Sequence, residues 1–187
     1  MSLKVIGGRF KGRKLVSPRG RTVRPTAGRV REAMFNIIGP AAEEAVVLDL
    51  FAGAGALGIE ALSRGAARVV FIDNSREALS IIHRNIETCG LADQAVVLGR
   101  DATRDLGLPL AADLSADLVF MDPPYRAGLA GLALSALEKS NTLSEDTLVI
   151  VEHGIREPLD GLPERFAVSD RRKYGETFVS FLRYVIK

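Results

Sequence analysis

The sequence lacks several features that define whole classes of protein. Its 187 residues include one cysteine, Cys89, which cannot form an internal disulfide and is expected to act as a small apolar side chain. Gly, Asp, Arg or Pro interrupts every hydrophobic stretch before it reaches the ~18 residues of a membrane-spanning helix. The start of the chain also lacks the apolar stretch of a signal peptide. We therefore expect a monomer in the cytoplasm, with no membrane partner.

Acidic residues are absent from the first 31 positions, which hold ten of the 25 lysine and arginine residues. Such a concentration of positive charge beside an acidic body predicts contact with a polyanion, because binding releases the counterions condensed on phosphates. A solvated or disordered basic tail is the alternative. Glycine and apolar residues interspersed with the charges favour an ordered arm. The basic side chains that we expect to contact nucleic acid are Arg9, Lys11, Arg13, Lys14, Arg24, Arg29 and Arg31.

The basic segment also carries signals of local structure. Residues 3–6 and 14–16 are short β-type runs separated by glycines, which predicts a small hairpin. Thr26 is a candidate cap for a helix over residues 26–38, and Gly39-Pro40 would end that helix. We therefore predict an extension over residues 1–40, made of a hairpin and a helix, followed by the main domain over 41–187.

From residue 46 the pattern changes to short apolar strands that alternate with helical segments. The predicted strands are 46–50, 69–72, 95–98, 118–121 and 147–151. This alternation is typical of an α/β fold, in which helices cover both faces of a parallel sheet. Two further β-type runs, 166–170 and 177–186, are joined by residues 171–175. So short a connection predicts an antiparallel hairpin.

A glycine-rich turn, Gly53-Ala-Gly-Ala-Leu-Gly58, follows the first strand of the domain. Open α/β sheets bind ligands beyond the carboxyl ends of their strands, and glycines let the backbone approach a ligand closely. Asp73, after the second strand, would accept hydrogen bonds from ribose hydroxyls. The pattern also fits a nicotinamide-binding fold, or a tight turn without a ligand. Asp49 favours S-adenosylmethionine, because a carboxylate here would repel a pyrophosphate but attract a cationic methionine group.

A second motif, Asp122-Pro-Pro-Tyr125, follows the strand at 118–121 and should reach the same sheet edge. An exocyclic base amine is a poor nucleophile and needs hydrogen-bond acceptors to hold it. Asp122 and a backbone carbonyl would accept these bonds, Pro123 would stiffen the turn, and Tyr125 would stack on the base. A common turn without catalytic function is the alternative. The predicted catalytic residues are Asp122, Pro123 and Tyr125.

Taken in order, the Asp49 loop, Asp73, Asp101-Ala102 and Asp122-Pro-Pro-Tyr125 resemble the motifs of class I amino-methyltransferases. Residues 5–15, 24–26, 29–32 and 51–65 extend the resemblance to the RsmD family of bacterial 16S ribosomal RNA guanine-N2 methyltransferases. It implies a seven-stranded, Rossmann-like class I fold, S-adenosylmethionine as methyl donor, and 16S RNA in the small subunit or an assembly intermediate as partner. Asp101 and Ala102 would then meet the adenine edge. The expected cofactor-binding residues are Asp49, Phe51, Gly53, Gly55, Asp73, Asn74, Asp101, Ala102 and Asp122.

Three functional alternatives stay open at the level of sequence. An adenine-N6 methyltransferase acting on DNA or RNA would use the same acceptors, so the tetrapeptide does not identify the base. A nicotinamide-dependent oxidoreductase and an inactive ribosome-assembly factor are the others. His83 and His153 lack the neighbours of a metal site and are expected to be structural. The Arg171-Arg172-Lys173-Tyr174 run is either a solvated turn or an RNA contact.

Overall fold

The computed structural model describes residues 2–18, 25–104, 106, 115–124, 128–157, 159 and 161–185. Within these ranges seven strands form one sheet in the order β3-β2-β1-β4-β5-β7-β6. The strands are β1 (Val46–Leu50), β2 (Arg68–Asp73), β3 (Ala95–Gly99), β4 (Ala116–Met121), β5 (Leu143–Gly154), β6 (Phe166–Tyr174) and β7 (Thr177–Tyr184). Pairs from β3 to β5 are parallel, whereas β7 is antiparallel to both of its neighbours. The predicted mostly parallel sheet with a C-terminal antiparallel hairpin is confirmed.

Helices cover both faces of this sheet and create two apolar cores. The helices are α1 (Pro25–Ile38), α2 (Ala56–Ser63), α3 (Arg76–Cys89) and α4 (Leu129–Lys139). Apolar residues of the first three helices pack on one face with Val47, and those of α4 pack on the other with Leu48. Successive side chains of a strand point to opposite faces, so the buried strands supply both cores. This double coverage explains why the central strands are apolar throughout.

The strand order changes direction between β1 and β4. The chain moves from β1 outward to β2 and β3, and then returns to place β4 on the other side of β1. Leu50 pairs with Ile72 of β2 and with Met121 of β4, so the carboxyl ends of these strands meet at one edge. In open α/β sheets the crevice at such a switch point is the usual ligand site.

The N-terminal arm, defined here as residues 2–18, lies against the helices on the first face. Lys4 pairs with Lys14 in antiparallel fashion, and the Leu15 N–H donates to the Leu3 carbonyl at 2.9 Å, as the predicted hairpin requires. Leu3, Val5 and Leu15 are buried in the same core as α1 and α2. The predicted extension and the main domain therefore share one core on this face of the sheet.

Two local predictions were wrong. Helix α1 begins at Pro25, so the predicted cap Thr26 lies inside its first turn; proline is favoured there because its ring fixes φ near the helical value. Strand β6 extends to Tyr174, so residues 171–173 pair with β7 and the turn is formed at Gly175 and Glu176. Charged residues can extend an edge strand because one side of it faces solvent.

In the part of the chain that the structure describes, no helix has the length and apolar character needed to cross a membrane.

Candidate active site

The glycine-rich loop joins β1 to α2 at the edge where the strands change direction. Its backbone has positive φ angles of 59° at Phe51, 58° at Gly53 and 72° at Gly55. Glycine adopts this left-handed conformation without steric cost, whereas at Phe51 the conformation is strained. Backbone strain of this kind is characteristic of sites that bind ligands. The loop turns the chain sharply, and α2 begins directly after it.

Gly58, the last glycine of the motif, serves packing. A Cβ atom at this position would lie 2.3 Å from Cε1 of Phe71, in the neighbouring strand β2. Glycine is therefore needed for α2 to lie close to the sheet. The backbone N–H of Gly58 has a second role, because it donates to Asp49 Oδ2 at 2.9 Å.

Asp73 ends β2 and fixes the conformation of the glycine-rich loop. Its Oδ2 accepts the N–H of Gly53 at 2.9 Å, and its Oδ1 accepts the N–H of Ser75 at 2.8 Å. Each carboxylate oxygen has two lone pairs, so both oxygens keep acceptor capacity after these bonds. The geometry is compatible with the ribose contact predicted from the sequence, which stays a prediction.

Asp49 is the most perturbed carboxyl group of the site. It is only 2% exposed and accepts one backbone hydrogen bond, from Gly58. Burial raises the pKa of Asp49 to about 8; the Gly58 hydrogen bond opposes this shift, and the negative charges of Asp122 and Asp73 add to it. The carboxyl group is thus largely protonated at neutral pH. A cation beside it would restore the ionised form.

Asp101 and Ala102 lie just beyond the end of β3, at the same edge of the sheet. Thr103 donates to Asp101 Oδ1 from its hydroxyl at 2.7 Å and from its N–H at 3.0 Å. These two bonds are the main reason that the pKa of Asp101 is lowered. Ala102 is buried, while Asn74, which follows Asp73, is exposed. The predicted cofactor residues therefore follow the ends of adjacent strands, as their sequence positions indicated.

The second motif follows Met121, the last residue of β4. Asp122 and Pro124 are exposed and Pro123 is buried. Asp122 is close enough to Asp49 to influence its pKa, which connects the two motifs in space. The predicted base-stacking residue, Tyr125, lies outside the described residues. The catalytic roles of Asp122, Pro123 and Tyr125 stay predictions.

The predicted RNA-binding residues have different surroundings. Lys11, Lys14 and Arg29 are exposed. Arg9 is hydrogen-bonded to the Gln94 side chain, and Arg13 donates to the Thr88 carbonyl at 3.2 Å. Arg24 lies outside the described residues.

Arg31 occupies a position unlike that of the other predicted RNA contacts. It is 7% exposed, donates to the Lys4 carbonyl at 2.6 Å, and has its Nε 3.8 Å from Glu60 Oε2. Burial lowers the pKa of Arg31, and the charge of Glu60 opposes that shift. This environment favours a structural role for Arg31 over the predicted RNA contact.

Two buried polar residues were not identified from the sequence. Glu60 accepts the N–H groups of Ile6 and Gly7 at 2.8 and 2.7 Å, and so attaches the arm to α2. Asn85 on α3 contacts both the arm and the glycine-rich loop. The only local signal was a polar residue among apolar ones on a helix, a pattern that does not reveal its partners.

The two histidines and the C-terminal basic run can also be placed. His153 is buried, with Nδ1 2.9 Å from the Glu157 carbonyl and Nε2 2.9 Å from Ser180 Oγ, which suits a structural residue. His83 is exposed on α3. Arg171 donates to Ser180 Oγ at 3.2 Å, and Arg172 to Asp170 at 2.8 Å. An RNA contact by the basic run stays a prediction.

Comparison with known proteins identifies the family. Residues 3–183 match the family described as Conserved hypothetical protein 95. Ribosomal RNA small subunit methyltransferase D of Escherichia coli K12 is 36% identical over 177 residues, which are 93% of this chain and 86% of that protein. The Haemophilus influenzae protein of the same name is 34% identical over 183 residues, 97% of this chain and 93% of its own length. The solved structure of yhhF from Escherichia coli matches with a TM-score of 0.86 and 32% identity, covering 100% of both chains. The chain therefore belongs to the RsmD family and has its Rossmann-like methyltransferase fold.

Proposed function

We propose that this protein transfers a methyl group from S-adenosylmethionine to the exocyclic N2 of a specific guanine in 16S ribosomal RNA, within the small subunit or an assembly intermediate. The observation that carries the proposal is the meeting of Asp49, Asp73 and Asp122 at one sheet edge, where burial, aided by the charges of Asp122 and Asp73, raises the pKa of Asp49. A cationic ligand is favoured there, because it would offset the charges of Asp122 and Asp73 and restore the ionised form of Asp49. Family membership supports ribosomal RNA as the substrate.

The described residues fit the proposed cofactor by their chemistry. S-adenosylmethionine supplies the methyl group as an electrophile when bound. The buried Asp49 carboxyl would face its cationic methionine part, and the backbone of Gly53 and Gly55 permits close approach. Asp73 retains acceptor capacity for ribose hydroxyls, and Asp101, with its lowered pKa, accepts hydrogen bonds as a carboxylate. Phe51, Asn74 and Ala102 complete the proposed binding site.

Asp122 is the residue assigned to the target base. It is exposed directly after β4 and beside the other carboxyl groups, so a base brought to this edge can reach it. In our proposal the carboxylate accepts a hydrogen bond from the exocyclic amine. This bond points the lone pair of the nitrogen at the donor methyl group and excludes other orientations of the base. Pro123 stiffens the turn, and Tyr125 supplies a stacking surface. Positioning, with no covalent enzyme intermediate, is the proposed source of rate enhancement.

The exposed side chains of Lys11 and Lys14 on the arm and of Arg29 on α1 are the proposed phosphate contacts. They are carried by backbone anchored to the folded domain, so ordering them costs less conformational entropy than ordering a free tail. Neutralising phosphates with such side chains gives affinity that decreases with salt concentration.

The test is transfer of isotopically labelled methyl from S-adenosylmethionine to immature 30S particles, naked 16S RNA and DNA, followed by nucleoside analysis. We expect label in N2-methylguanosine from ribosomal RNA. Asp122→Ala should lower transfer about hundredfold or more, because a positioning group is lost, and should weaken S-adenosylhomocysteine binding far less, because the other proposed cofactor residues remain. Exposed Asp93 offers a matched control, and Asp93→Asn should leave transfer unchanged.

Other outcomes would contradict specific parts of the proposal. Label in N6-methyladenine would overturn the target base and keep the cofactor. Binding of S-adenosylhomocysteine without transfer to any of the three substrates would overturn the enzymatic assignment.

A further inference from the structure

Asn85 joins two regions that are far apart in the sequence. It lies on α3 and is fully buried, at 0% exposure. Its Nδ2 donates to the carbonyls of Val16, at 3.0 Å, and Ala54, at 2.9 Å, while its Oδ1 accepts the N–H of Val16 at 2.7 Å. Both N–H groups and the oxygen of the amide are therefore engaged. One of these partners belongs to the arm and the other to the glycine-rich loop.

The contact at Ala54 is placed where it can influence cofactor binding. Ala54 lies between Gly53 and Gly55, the two glycines whose positive φ angles shape the loop. Asp73 holds the N–H of Gly53 from the end of β2, and Asn85 holds the carbonyl of Ala54 from α3. The loop is thus fixed by two side chains from different elements. Of these two side chains, Asn85 also binds the arm, at Val16, whereas Asp73 binds Gly53 and Ser75.

From this geometry we infer that Asn85 is a positioning residue, through which the arm and the glycine-rich loop stabilise each other's conformation. The inference rests on the proposed function for the identity of the ligands, RNA on the arm and cofactor at the loop. Leaving a buried amide group without a hydrogen-bond partner is unfavourable in free energy. The Asn85 side chain therefore keeps Val16 of the arm and Ala54 of the loop at fixed positions relative to each other. RNA that stabilises this conformation of the arm then favours the binding conformation of the loop, and by linkage the cofactor favours RNA binding equally.

Ser63 provides a matched control, because it anchors the arm without touching the loop. Its hydroxyl donates to the Gly7 carbonyl at 2.6 Å and accepts the Phe10 N–H at 3.0 Å. Ser63 is buried on α2, as Asn85 is on α3. Ser63→Ala therefore loosens the arm by removing the same kind of side-chain bonds. Ser63 lies at the end of α2 opposite to the glycine-rich loop.

The experiment is calorimetric titration of the full-length protein with S-adenosylhomocysteine, alone and in the presence of naked 16S RNA. For the wild type we expect tighter binding when RNA is present. Asn85→Ala should bind about tenfold more weakly without RNA, since one anchor of the loop is lost, and RNA should no longer improve its affinity. Ser63→Ala should match the wild type without RNA.

A second measurement uses the wild-type chain and does not depend on whether Asn85→Ala folds. Hydrogen exchange of the loop amides, including that of Gly55, should slow when 16S RNA is added in the absence of cofactor. Unchanged exchange would overturn the inferred coupling.

The calorimetric outcomes separate this inference from the proposed function. Wild-type binding of S-adenosylhomocysteine, with equal affinity in folded Asn85→Ala, would overturn the inference and leave the proposed cofactor intact. An equal loss in Ser63→Ala would overturn it too, because general loosening of the arm would then explain the effect. Failure of the wild type to bind S-adenosylhomocysteine would overturn the proposed cofactor itself.

Discussion

Two buried carboxyl groups in neighbouring elements have opposite surroundings. Glu60 on α2 is 0% exposed and Asp49 on β1 is 2% exposed. Glu60 accepts two backbone N–H groups and the Nε of Arg64 at 2.8 Å, and Arg31 lies beside it. Asp49 accepts a single backbone N–H and is close to two further carboxyl groups. Among the described residues, the same chemical group is paired with arginines in one place and lies beside further carboxyl groups in the other.

This difference separates a structural site from a ligand site. Burying a charge is unfavourable unless hydrogen bonds and opposite charges compensate for it. At Glu60 the compensation comes from backbone N–H groups of the arm and from Arg31 and Arg64. This carboxylate therefore attaches the arm to the domain. At Asp49 the described residues supply no cation among the interactions that set its pKa. The missing compensation is what a cationic ligand would provide.

The largest expected loss of stability comes from weakening the attachment of the arm to the domain. Glu60→Gln removes the counter-charge of buried Arg31 and replaces one of the two oxygens that accept backbone N–H groups with an amide NH2, which is a donor. We expect the free energy of unfolding to decrease by about 3 kcal/mol, a magnitude typical of breaking one side of a buried ion pair. Urea unfolding followed by circular dichroism measures it.

The matched control for that variant is Glu87→Gln, which changes an exposed glutamate on α3. It should alter stability by less than about 0.5 kcal/mol. If Glu60→Gln and the wild type had the same free energy of unfolding, the different surroundings of Glu60 and Asp49 would not be reflected in stability.

An effect of opposite sign is expected at Asp49. Its pKa of about 8 in the folded protein exceeds the value of about 3.9 for unfolded Asp. Its contribution to stability is therefore fully present below about pH 4 and is lost as the pH rises through 8. Asp49→Asn removes this loss, so at pH 8.5 without ligand we expect the variant to be more stable than the wild type, by up to about 5 kcal/mol at ~1.4 kcal/mol per pKa unit.

Urea unfolding at pH 4.5 and pH 8.5 tests this prediction, since the advantage of Asp49→Asn should nearly vanish at the lower pH. Asp93→Asn, at an exposed carboxylate, is the control. A variant less stable than the wild type at both pH values would contradict the assigned protonation of Asp49.

The smallest expected effect concerns the pH dependence of ligand binding. A cationic ligand favours ionised Asp49, so proton release should accompany binding below the pKa of about 8. The affinity for S-adenosylhomocysteine, which carries an ammonium group, should rise with pH between 6 and 8 by at most about tenfold per unit. It should then level off.

Isothermal titration calorimetry in buffers of different ionisation enthalpy counts the released protons. In Asp49→Asn the affinity should be lower and nearly independent of pH over the same interval. A pH dependence that persists in this variant would assign the titration to another group.

Much of the fold and of the site could be predicted from local patterns. Short apolar runs alternating with helical segments indicated the parallel sheet, and the strand bounds 46–50 were those observed. Asp73 and Asp122 each follow a parallel strand directly, and such strands end at a common edge. Their convergence near Asp49 therefore followed from topology. The glycine pattern likewise located the loop, although not the strained φ of Phe51.

Local pattern failed where a residue's role depends on a distant partner. Arg31 had the same appearance in the sequence as exposed Arg29, yet it is buried beside Glu60. The bond from Ile6 to Glu60 spans 54 positions, and that from Val16 to Asn85 spans 69. Nothing within a few residues of either side chain indicates these contacts.

The sequence by itself determined the order of the strands and helices, the position of the glycine-rich loop, and the carboxyl groups that follow adjacent strands. These depend on hydrophobic periodicity and on turn residues, which act within a few positions of the chain. Only the tertiary structure decided which buried charges are compensated, how the arm is attached, and that Asn85 connects the arm to the loop. These properties depend on burial and on contacts between distant segments, because a polar group's energy is set by the partners that folding brings to it.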